Sequence, residues 1–538
     1  MPVTPSADSK HPGKSKPGKA AAGVVIDPSA PLPAGPDGDE VAVLSRPRPA
    51  TTRYPISKDE FTKLEANAAK VKPKPKKNTT VVPDQASKYE LAAQPSGVTL
   101  PTGPSAFTAP ALAPTALGNF VGIADTGWFP PDCTAAAGPD HVVVATNASF
   151  AVYTKSGAVA RPAQTFASWY ANVITAAKIF DPKLLFDQHS NRWLLLTVAM
   201  PSDQTKNESY FLLSVSQTAD PLGPWWNYKL DATKDGATAT TNWADYPGLG
   251  VDAQAVYLTA NMFKFGGGFM YAKVRVLNKA PLLTGAAATW QDFTKLKNAD
   301  GNMAFTVQPC HTFGAPQVQY LVNSYFTTAA TQTRLTLWSL TGPPTAPVLT
   351  SKTVTTAPYG QPPAADQKGP GAPLNSGDVR VLNAVSRGGS VWCALTTFHN
   401  WGEAVNRAAV HWLQINPTGA IVQQGVYGAK GSHYFYPALM PDTNGNMTLV
   451  FCRSSTNEFA SIYYTGRKAT DALGLLQSSI LLKAGTGNSQ RIDGSGRNRW
   501  GDYAGAAVDP TDGRTIWVYS MFGDTNNKWG TWVGAARF

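Results

Sequence analysis

Residues 498–520 read NRWGDYAGAAVDPTDGRTIWVYS, a stretch with the composition of a β-hairpin. Its segment DPTDG at 509–513 is typical of a tight turn, because proline presets one backbone angle and glycine accepts a positive φ. The segment 514–519 is rich in β-branched and aromatic residues, as expected of a half-buried strand. The stretch therefore predicts a lead-in motif, a strand, a turn and a second strand.

Similar lead-ins recur upstream, each an acidic or aromatic residue shortly before an apolar strand. They lie near residues 132, 181, 245, 310, 378, 436 and 502. Their irregular spacing, roughly 50 to 70 residues, indicates blades or solenoid repeats. Each repeat has room for about four short strands, which is the usual content of a propeller blade. The sequence predicts an all-β fold, a seven-bladed β-propeller over residues 116–538.

A ring of blades must be closed by joining the last blade to the first. The C-terminal segment 531–538 reads as a strand, and the segment 120–123 is a candidate closing strand. We expect the two segments to pair, so that truncation near Phe538 would strongly destabilise the ring.

Residues 1–115 have a different composition, rich in Pro, Lys, Ala and Ser with few aromatics. Such a segment buries too little apolar surface to offset its ordering entropy, which predicts a largely disordered tail. One short helix is predicted near 57–72, because Ser57 and Glu60 form a capping box and Pro73 ends the pattern. This helix is either a marginal helix in a linker or a docking element for a partner or for the propeller.

Composition and charge exclude several classes of protein. The chain is 43% hydrophobic and 15% charged, which fits a large globular core, and its net charge is +11. Basic residues do not form a dense stripe interleaved with aromatics, so nucleic-acid binding is not predicted. No stretch approaches the ~20 apolar residues needed for a membrane span, and the N-terminus has no visible signal peptide.

The four cysteines are widely separated and include no CxxC pair, which argues against a zinc cluster. Cys393 and Cys452 occupy similar places in two successive repeats. We interpret them as buried thiols in adjacent blades, with a disulfide between them as the alternative.

Several motifs resemble those of a family of bacterial, usually secreted seven-bladed propeller proteins of the sialidase-like superfamily. They are FVGI at 120–123, PPD at 130–132, GPDH at 138–141, DYP at 245–247, WGDY at 500–503 and DPTDG at 509–513. The resemblance covers residues 120–538 and implies the propeller fold and an extracellular location, with no assigned activity. Cys133 departs from the threonine that the family often has there, and the absence of a visible export signal leaves the location open.

The lead-in carboxylates form the main candidate site. If each repeat starts at the central channel, five of them ring one channel mouth: Asp132, Asp181, Asp245, Asp378 and Asp502. Like charges this close raise one another's pKa unless a cation or backbone N–H groups compensate them. Ca²⁺ is the cofactor that such oxygen ligands would hold. The alternative is that each aspartate caps its own loop through backbone hydrogen bonds.

Aromatic and polar residues near the lead-ins are candidates for ligand binding, as a stacking rim for sugars. They are Trp243, Tyr246, Asn261, His311, Tyr436, Trp500 and Tyr503. Packing between blades is the alternative role for the aromatic residues.

The first functional hypothesis is a non-enzymatic binding propeller, with a glycan or protein ligand at the channel mouth. The tail would be a tether or recruitment arm, able to bind a larger assembly, and the propeller itself is expected to be monomeric. The alternative is a glycan-active hydrolase or lyase of sialidase type, with Tyr436, Asp502, Arg380 and Arg453 as catalytic candidates. A third hypothesis is that the tail is an export signal and the propeller its cargo.

Overall fold

The computed structural model describes residues 113–202, 207–326, 331–493, 495–525 and 527–538, and the backbone of four short strands nearer the N-terminus. These residues fold as an all-β propeller with almost no helix. Its two helices within the described ranges each have only four residues: α1 (Phe166–Trp169) and α2 (Lys279–Leu282).

Six strands precede the first four-stranded meander. They are β1 (Val43–Leu44), β2 (Arg48–Pro49), β3 (Thr52–Ile56), β4 (Thr80–Val81), β5 (Thr115–Ala124) and β6 (Trp128–Phe129).

Antiparallel meanders of four strands follow along the chain, and each is named here after its first strand. The β7 meander is β7 (Thr134–Ala137), β8 (His141–Thr146), β9 (Ser149–Thr154) and β10 (Val159–Thr165). The β11 meander is β11 (Ala177–Asp187), β12 (Arg192–Pro201), β13 (Tyr210–Ser216) and β14 (Trp225–Asp231). A small hairpin, β15 (Lys234–Asp235) and β16 (Thr238–Ala239), comes next.

The β17 meander is β17 (Asn242–Val251), β18 (Ala255–Lys264), β19 (Phe269–Asn278) and β20 (Thr289–Thr294). The β21 meander is β21 (Gln308–Pro309), β23 (Gln319–Ser324), β24 (Gln332–Thr341) and β25 (Val348–Tyr359), with β22 (His311–Thr312) between its first two strands in sequence.

The β26 meander is β26 (Val381–Arg387), β27 (Ser390–His399), β28 (Arg407–Ile415) and β29 (Ile421–Tyr427). The β30 meander is β30 (His433–Pro441), β31 (Met447–Ser455), β32 (Glu458–Arg467) and β33 (Ile480–Lys483). The last three strands are β34 (Gly505–Val508), β35 (Ile516–Asp524) and β36 (Lys528–Arg537).

The β17 and β26 meanders belong to one eleven-stranded sheet, whereas the others form separate sheets of four or five strands. The connection is β22, which pairs in parallel with the ends of β17 and β26 through Val251↔His311 and His311↔Val385. Because β22 pairs with the last residues of these strands, it lies at the end of the channel opposite to the lead-in residues.

The last sheet is closed by strands from distant parts of the chain. β36 pairs antiparallel with β5, with Trp532 opposite Val121 and Val533 opposite Phe120. The Phe120 ring also contacts Tyr153 of the β7 meander, with 5.1 Å between ring centroids. The predicted pairing of the C-terminal strand with residues 120–123 is therefore confirmed.

Three of the short N-terminal strands extend outer sheet edges. β3 pairs with β14 as a fifth strand of that sheet, and β1 and β2 pair with β20. The predicted tail thus contributes backbone to the propeller at residues 43–44, 48–49 and 52–56. The helix predicted at 57–72 lies outside the described residues.

Apolar side chains between neighbouring meanders form the core. One cluster joins Val143 of β8 to Trp193 of β12, and another joins Phe211 of β13 to Met262 of β18. Such sheets bury both faces only against each other. All four cysteines are buried and free, so Cys393 and Cys452 are thiols, as the sequence interpretation held.

Candidate functional site

The first strands of three meanders carry a β-bulge at the same place. In each, the register of the ladder shifts and leaves two residues out of it. The omitted pairs are Asp181-Pro182, Tyr246-Pro247 and Tyr436-Pro437. Proline cannot donate to a ladder, so the sequence itself selects this position for the bulge.

In all three meanders, the first of the two bulge residues has a left-handed backbone conformation. One lead-in residue in each of two further repeats has the same conformation. Their φ angles lie between 49° and 54°, at Asp132, Asp181, Tyr246, Thr306 and Tyr436. A non-glycine residue in this region costs about 1–3 kcal/mol, and such residues concentrate at functional sites. The strained backbone therefore marks one ring of equivalent positions around the channel.

Side chains of the preceding meander hold these strained residues in place. Asn147 Oδ1 accepts a hydrogen bond from the Asp181 N–H at 2.8 Å. In the same way Asn261 Oδ1 accepts from the Thr306 N–H at 2.7 Å. Each contact fixes the start of one meander against its neighbour, which positions the lead-in side chains precisely enough for chemistry.

Three of the predicted carboxylates converge. Asp132 Oδ2 accepts from Asn147 Nδ2 at 2.5 Å, Asp181 Oδ2 accepts from the Tyr246 N–H at 3.2 Å, and Asp502 pairs with Arg499 at 2.9 Å. Burial, together with the charges of Asp502 and Asp181, raises the pKa of Asp132 well above its usual value. Asp132 Oδ1 has no hydrogen-bond partner among the described residues. Burial and its charged neighbours therefore drive the Asp132 carboxyl towards its neutral form.

Lys183 supplies a buried ammonium group to the same cluster. Its Nζ lies 3.0 Å from the centroid of the Tyr503 ring and 5.2 Å from that of Tyr246. Burial lowers the pKa of Lys183 to about 7, although Asp181 and Asp132 act in the opposite direction. We call Asp132, Asp181, Lys183, Arg499 and Asp502 the axial cluster.

Two tyrosines pack against the axial cluster as hydrogen-bond donors. The Tyr246 hydroxyl donates to the Asp502 carbonyl at 3.2 Å, and the Tyr503 hydroxyl donates to the Pro182 carbonyl at 3.0 Å. Their rings meet edge to face with 5.7 Å between centroids. Burial raises the pKa of both phenols well above the usual value, so both stay protonated.

Arg380 and Asp378 form a second charged pair beside the axial cluster. The guanidinium donates to both Asp378 oxygens, at 2.8 Å and 2.6 Å, and lies 4.1 Å from the Tyr246 ring centroid. A cavity of about 10 Å³ lies between this pair, Tyr436 and Asp502. That volume holds about one water molecule.

The loop 360–378 covers this end of the channel. Its Ala365 and Leu374 bridge to each other, and Leu374 also bridges to Asn498. Asn375 accepts from the Tyr436 hydroxyl at 3.1 Å through its carbonyl and from Arg499 at 3.3 Å through its side chain. The axial side chains are consequently 0% to 8% exposed.

The predicted ligand-binding residues divide into three groups. Tyr246, Tyr436 and Tyr503 lie at the axial cluster or at the adjacent Arg380–Asp378 pair. Trp243 and Trp500 are buried in the core, where Trp243 packs on Phe263 at 5.6 Å, so the structure gives them the packing role. Asn261 holds Thr306, and His311 lies at the opposite end of the channel.

Two lead-in assignments need correction. Tyr246, one residue after Asp245, occupies the strained bulge position of the β17 meander. In the next repeat that position is Thr306 rather than Cys310 or His311. Both errors arise because the lead-ins were aligned by residue type, whereas the bulge and its positive φ define the equivalent positions.

The five predicted metal ligands are not gathered at one point. Asp378 is paired with Arg380, while Asp132, Asp181 and Asp502 share the axial cluster with Lys183 and Arg499. Among the described residues, no group of three or more His, Cys, Asp or Glu side chains is arranged to hold a metal ion. The calcium site stays a prediction.

The two arginines among the catalytic candidates, Arg380 and Arg453, have different surroundings. Arg380 and Arg499 lie at the channel, but Arg453 is paired with Glu458 at 2.8 Å and stacked 3.7 Å from the Tyr463 centroid. These contacts give Arg453 a structural partner on the neighbouring strand, and its catalytic role stays a prediction. Lys183 was missed, although it lies two residues after Asp181 on the same strand.

No protein-family profile matches the chain, and no curated protein matches it. In the part of the chain that the structure describes, no helix is long and apolar enough to cross a membrane.

Solved structures that are similar to this chain include two enzymes named for glycan substrates and one repeat domain. A Trypanosoma rangeli sialidase in complex with sialic acid is 10% identical, with 74% of this chain and 59% of the sialidase covered and a TM-score of 0.34. An alpha-L-arabinanase mutant from Cellvibrio cellulosa is 12% identical, with coverages of 66% and 96% and a TM-score of 0.29. The WD40 domain of SCAP from fission yeast is 10% identical, with coverages of 76% and 82% and a TM-score of 0.32.

At these TM-scores the likeness carries no argument about activity. Bacterial origin and secretion stay predictions.

Proposed function

We propose that this protein is a glycan-active hydrolase whose acid and base lie at the axial cluster. The observation that carries the proposal is Asp132, a fully buried carboxyl driven to its neutral form beside the carboxylates of Asp181 and Asp502. Titratable groups perturbed in this way are typical of functional sites. Glycoside hydrolysis requires this kind of pair, one carboxyl group protonated and one ionised.

Each residue then has a defined role. Asp132 donates its proton to the glycosidic oxygen as the bond from that oxygen to the anomeric carbon breaks. A water molecule in the cavity beside Asp502 and Tyr436 forms the new bond to the anomeric carbon and gives its proton to Asp502. Arg499, paired with Asp502 at 2.9 Å, keeps that carboxylate charged and oriented.

Substrate entry requires the loop 360–378 to move from the channel. The loop contacts the site through two hydrogen bonds of Asn375, to Tyr436 and Arg499, and is also tied to the blades by the Asp366–Arg407 ion pair at 2.7 Å and the Leu374–Asn498 bridge.

The test is a panel of fluorogenic arabinosides, galactosides and sialosides. We expect turnover by the wild type and a loss of about 10²–10⁴-fold in kcat for Asp132→Asn, which cannot donate the proton. Asp300→Asn, in an exposed loop, is the matched control and should retain full turnover. Absence of turnover on every glycoside, with the protein folded, would refute the proposal.

A second candidate, a non-enzymatic glycan-binding propeller, is favoured by one observation. The axial side chains are at most 8% exposed beneath the loop, whereas hydrolases usually present their acid and base in an open cleft. Binding on a glycan array without turnover in the glycoside panel would select this candidate.

We infer that the β17 and β26 meanders are separate blades, which makes the propeller seven-bladed. The supporting observation is that each is a complete four-stranded antiparallel meander joined to the other only through the two-residue strand β22. A crystal structure with a number of blades other than seven around the axis would refute this count.

We further propose, on the resemblance alone, an extracellular location with the N-terminal segment as tether. Fractionation of the source cells tests this, and recovery of the protein only in the cytosol would refute it.

A further inference from the structure

The end of the channel opposite to the axial cluster contains a cavity of about 170 Å³. Its walls are mostly small or apolar side chains: Ala135, Ala136, Ala137, Leu185, Phe186, Ala506, Ala507 and Val508. Phe313, Arg387, Thr443 and Gly513 lie at its rim and are partly or fully exposed. The cavity is therefore open to solvent and apolar inside.

Arg387 is the cationic side chain that lines this cavity, and Asp442 is the acidic group whose charge acts on it. Its Nη1 donates to the Pro441 carbonyl at 3.0 Å, and its Cζ lies 4.5 Å from the Phe313 ring centroid. No acidic side chain within the described ranges forms an ion pair with it. The guanidinium is thus held in place by Pro441 and Phe313, with N–H groups left over for a ligand.

The other polar groups of the cavity are already satisfied or neutral. Asp509 is paired with Lys155 at 2.8 Å and accepts from Trp517 Nε1 at 3.1 Å. His311 contacts Gln188 at 2.9 Å and stacks on Phe313 at 4.3 Å, and burial lowers its pKa to about 3, so its ring is neutral. Among the side chains that line the cavity, Arg387 is therefore the one that offers positively charged N–H groups to a ligand.

We propose that this cavity is a binding site for a small carboxylate with a short apolar body, held by Arg387. A guanidinium binds a carboxylate through two parallel hydrogen bonds, and the apolar walls bind the hydrocarbon portion. An inorganic phosphate, doubly charged and without an apolar part, would leave most of its oxygens against Ala and Val side chains. The site therefore selects a monoanion with an apolar body.

This site is separate from the proposed hydrolase site. A cavity of about 70 Å³ lies between the two ends and is lined by both His311 and Lys183, but Arg387 is not part of its wall. Asp132→Asn should therefore leave carboxylate binding unchanged, and loss of carboxylate binding should not abolish glycoside turnover. The two proposals can fail independently.

The experiment is calorimetric titration of the full chain with sodium hexanoate and with hexanamide, its uncharged analogue. We expect the wild type to bind hexanoate and not hexanamide. Arg387→Gln should weaken hexanoate binding roughly 10- to 100-fold, as loss of a charge-assisted hydrogen-bonded contact does. Lys352→Gln, which removes one exposed positive charge from β25, controls for net charge and should bind hexanoate like the wild type.

A second variant keeps the test decisive if Arg387→Gln does not fold. Ala506→Leu keeps the guanidinium and fills the cavity, so it should also lose hexanoate binding. No binding of hexanoate by the folded wild type would overturn the proposal. So would equal affinity for hexanoate and hexanamide, or unchanged binding by both Arg387→Gln and Ala506→Leu.

Discussion

The β17 meander buries a second group of charges, and its pairing differs from that of the axial cluster. Arg275 donates to both Asp292 oxygens at 2.7 Å, with neither side chain exposed, and Lys273 pairs with Asp235 at 2.8 Å. Arg275 also donates to the Asp231 carbonyl at 2.9 Å. We call these four side chains the outer cluster.

The two clusters shift their carboxyl groups in opposite directions. Burial acts to raise the pKa of Asp292, but the charge and hydrogen bonds of Arg275 lower it below the usual value. At Asp132 burial and neighbouring carboxylates raise the pKa instead. In a structural ion cluster, each buried charge needs a partner of opposite charge. A buried cluster whose charges are incompletely compensated is typical of a site that gains and releases protons.

The largest change in the free energy of unfolding is expected from Asp292→Asn in the outer cluster. The change leaves the buried Arg275 guanidinium without its partner, so the free energy of unfolding should fall by about 3–5 kcal/mol. Urea unfolding followed by tryptophan fluorescence measures it, with Lys352→Gln as the surface control. A loss below about 1 kcal/mol would contradict the structural role of this pair.

Asp132→Asn in the axial cluster should instead increase the free energy of unfolding at pH 7. The pKa of the Asp132 carboxyl is raised in the folded protein above its ordinary value of 3.8. Its contribution to the free energy of unfolding is therefore fully present below pH 3.8 and is lost as the pH rises through the folded-state pKa. The neutral amide removes that loss, so the variant should be more stable than the wild type at pH 7 by about 1–2 kcal/mol. Urea unfolding at pH 4 and pH 7 tests this, and a less stable variant at pH 7 would contradict it.

Lys183→Met should change how stability depends on pH. The pKa of Lys183 is lowered from 10.5 to about 7 in the fold, so between these values the unfolded chain binds a proton that the folded chain releases. Wild-type stability should therefore gain up to about 1 kcal/mol per pH unit above pH 7, and the variant should lose this slope. Equal slopes in both proteins, from urea midpoints at pH 7, 8 and 9, would show that Lys183 is not perturbed.

The smallest effect is expected from metal removal. Arg499 already places a positive charge beside the axial carboxylates, so EDTA should change the melting temperature by less than about 1 °C. A fall of several degrees that added Ca²⁺ reverses would establish the calcium site that the sequence predicted.

The sequence predicted the parts of the fold that local chemistry determines. The lead-ins mark the starts of β-meanders, and the apolar segment 120–123 pairs with β36 because the last three strands would otherwise leave one side of β36 unpaired. The convergence of Asp132, Asp181 and Asp502 was also predicted, since equivalent positions of a radial repeat meet at the axis.

The incorrect lead-in predictions concern positions that the β-bulges determine. Asp245 and Tyr246 are adjacent in sequence, and only the backbone shows that Tyr246 takes the strained position. The preference of proline for bulges was a usable signal, because Pro182, Pro247 and Pro437 each follow that position. The positions of Arg453 and of the loop 360–378 depend on contacts far apart in sequence, which no local pattern predicts.

The pairing of β36 with β5 has a consequence for how the protein is made. Asn119 and Trp532, which are hydrogen-bonded across this pair, are 413 residues apart. At roughly 5–20 residues per second, a ribosome needs on the order of tens of seconds to synthesise the chain between them. During that time the edge of β5 has no native partner, and a chaperone that shields it would raise the yield of folded protein.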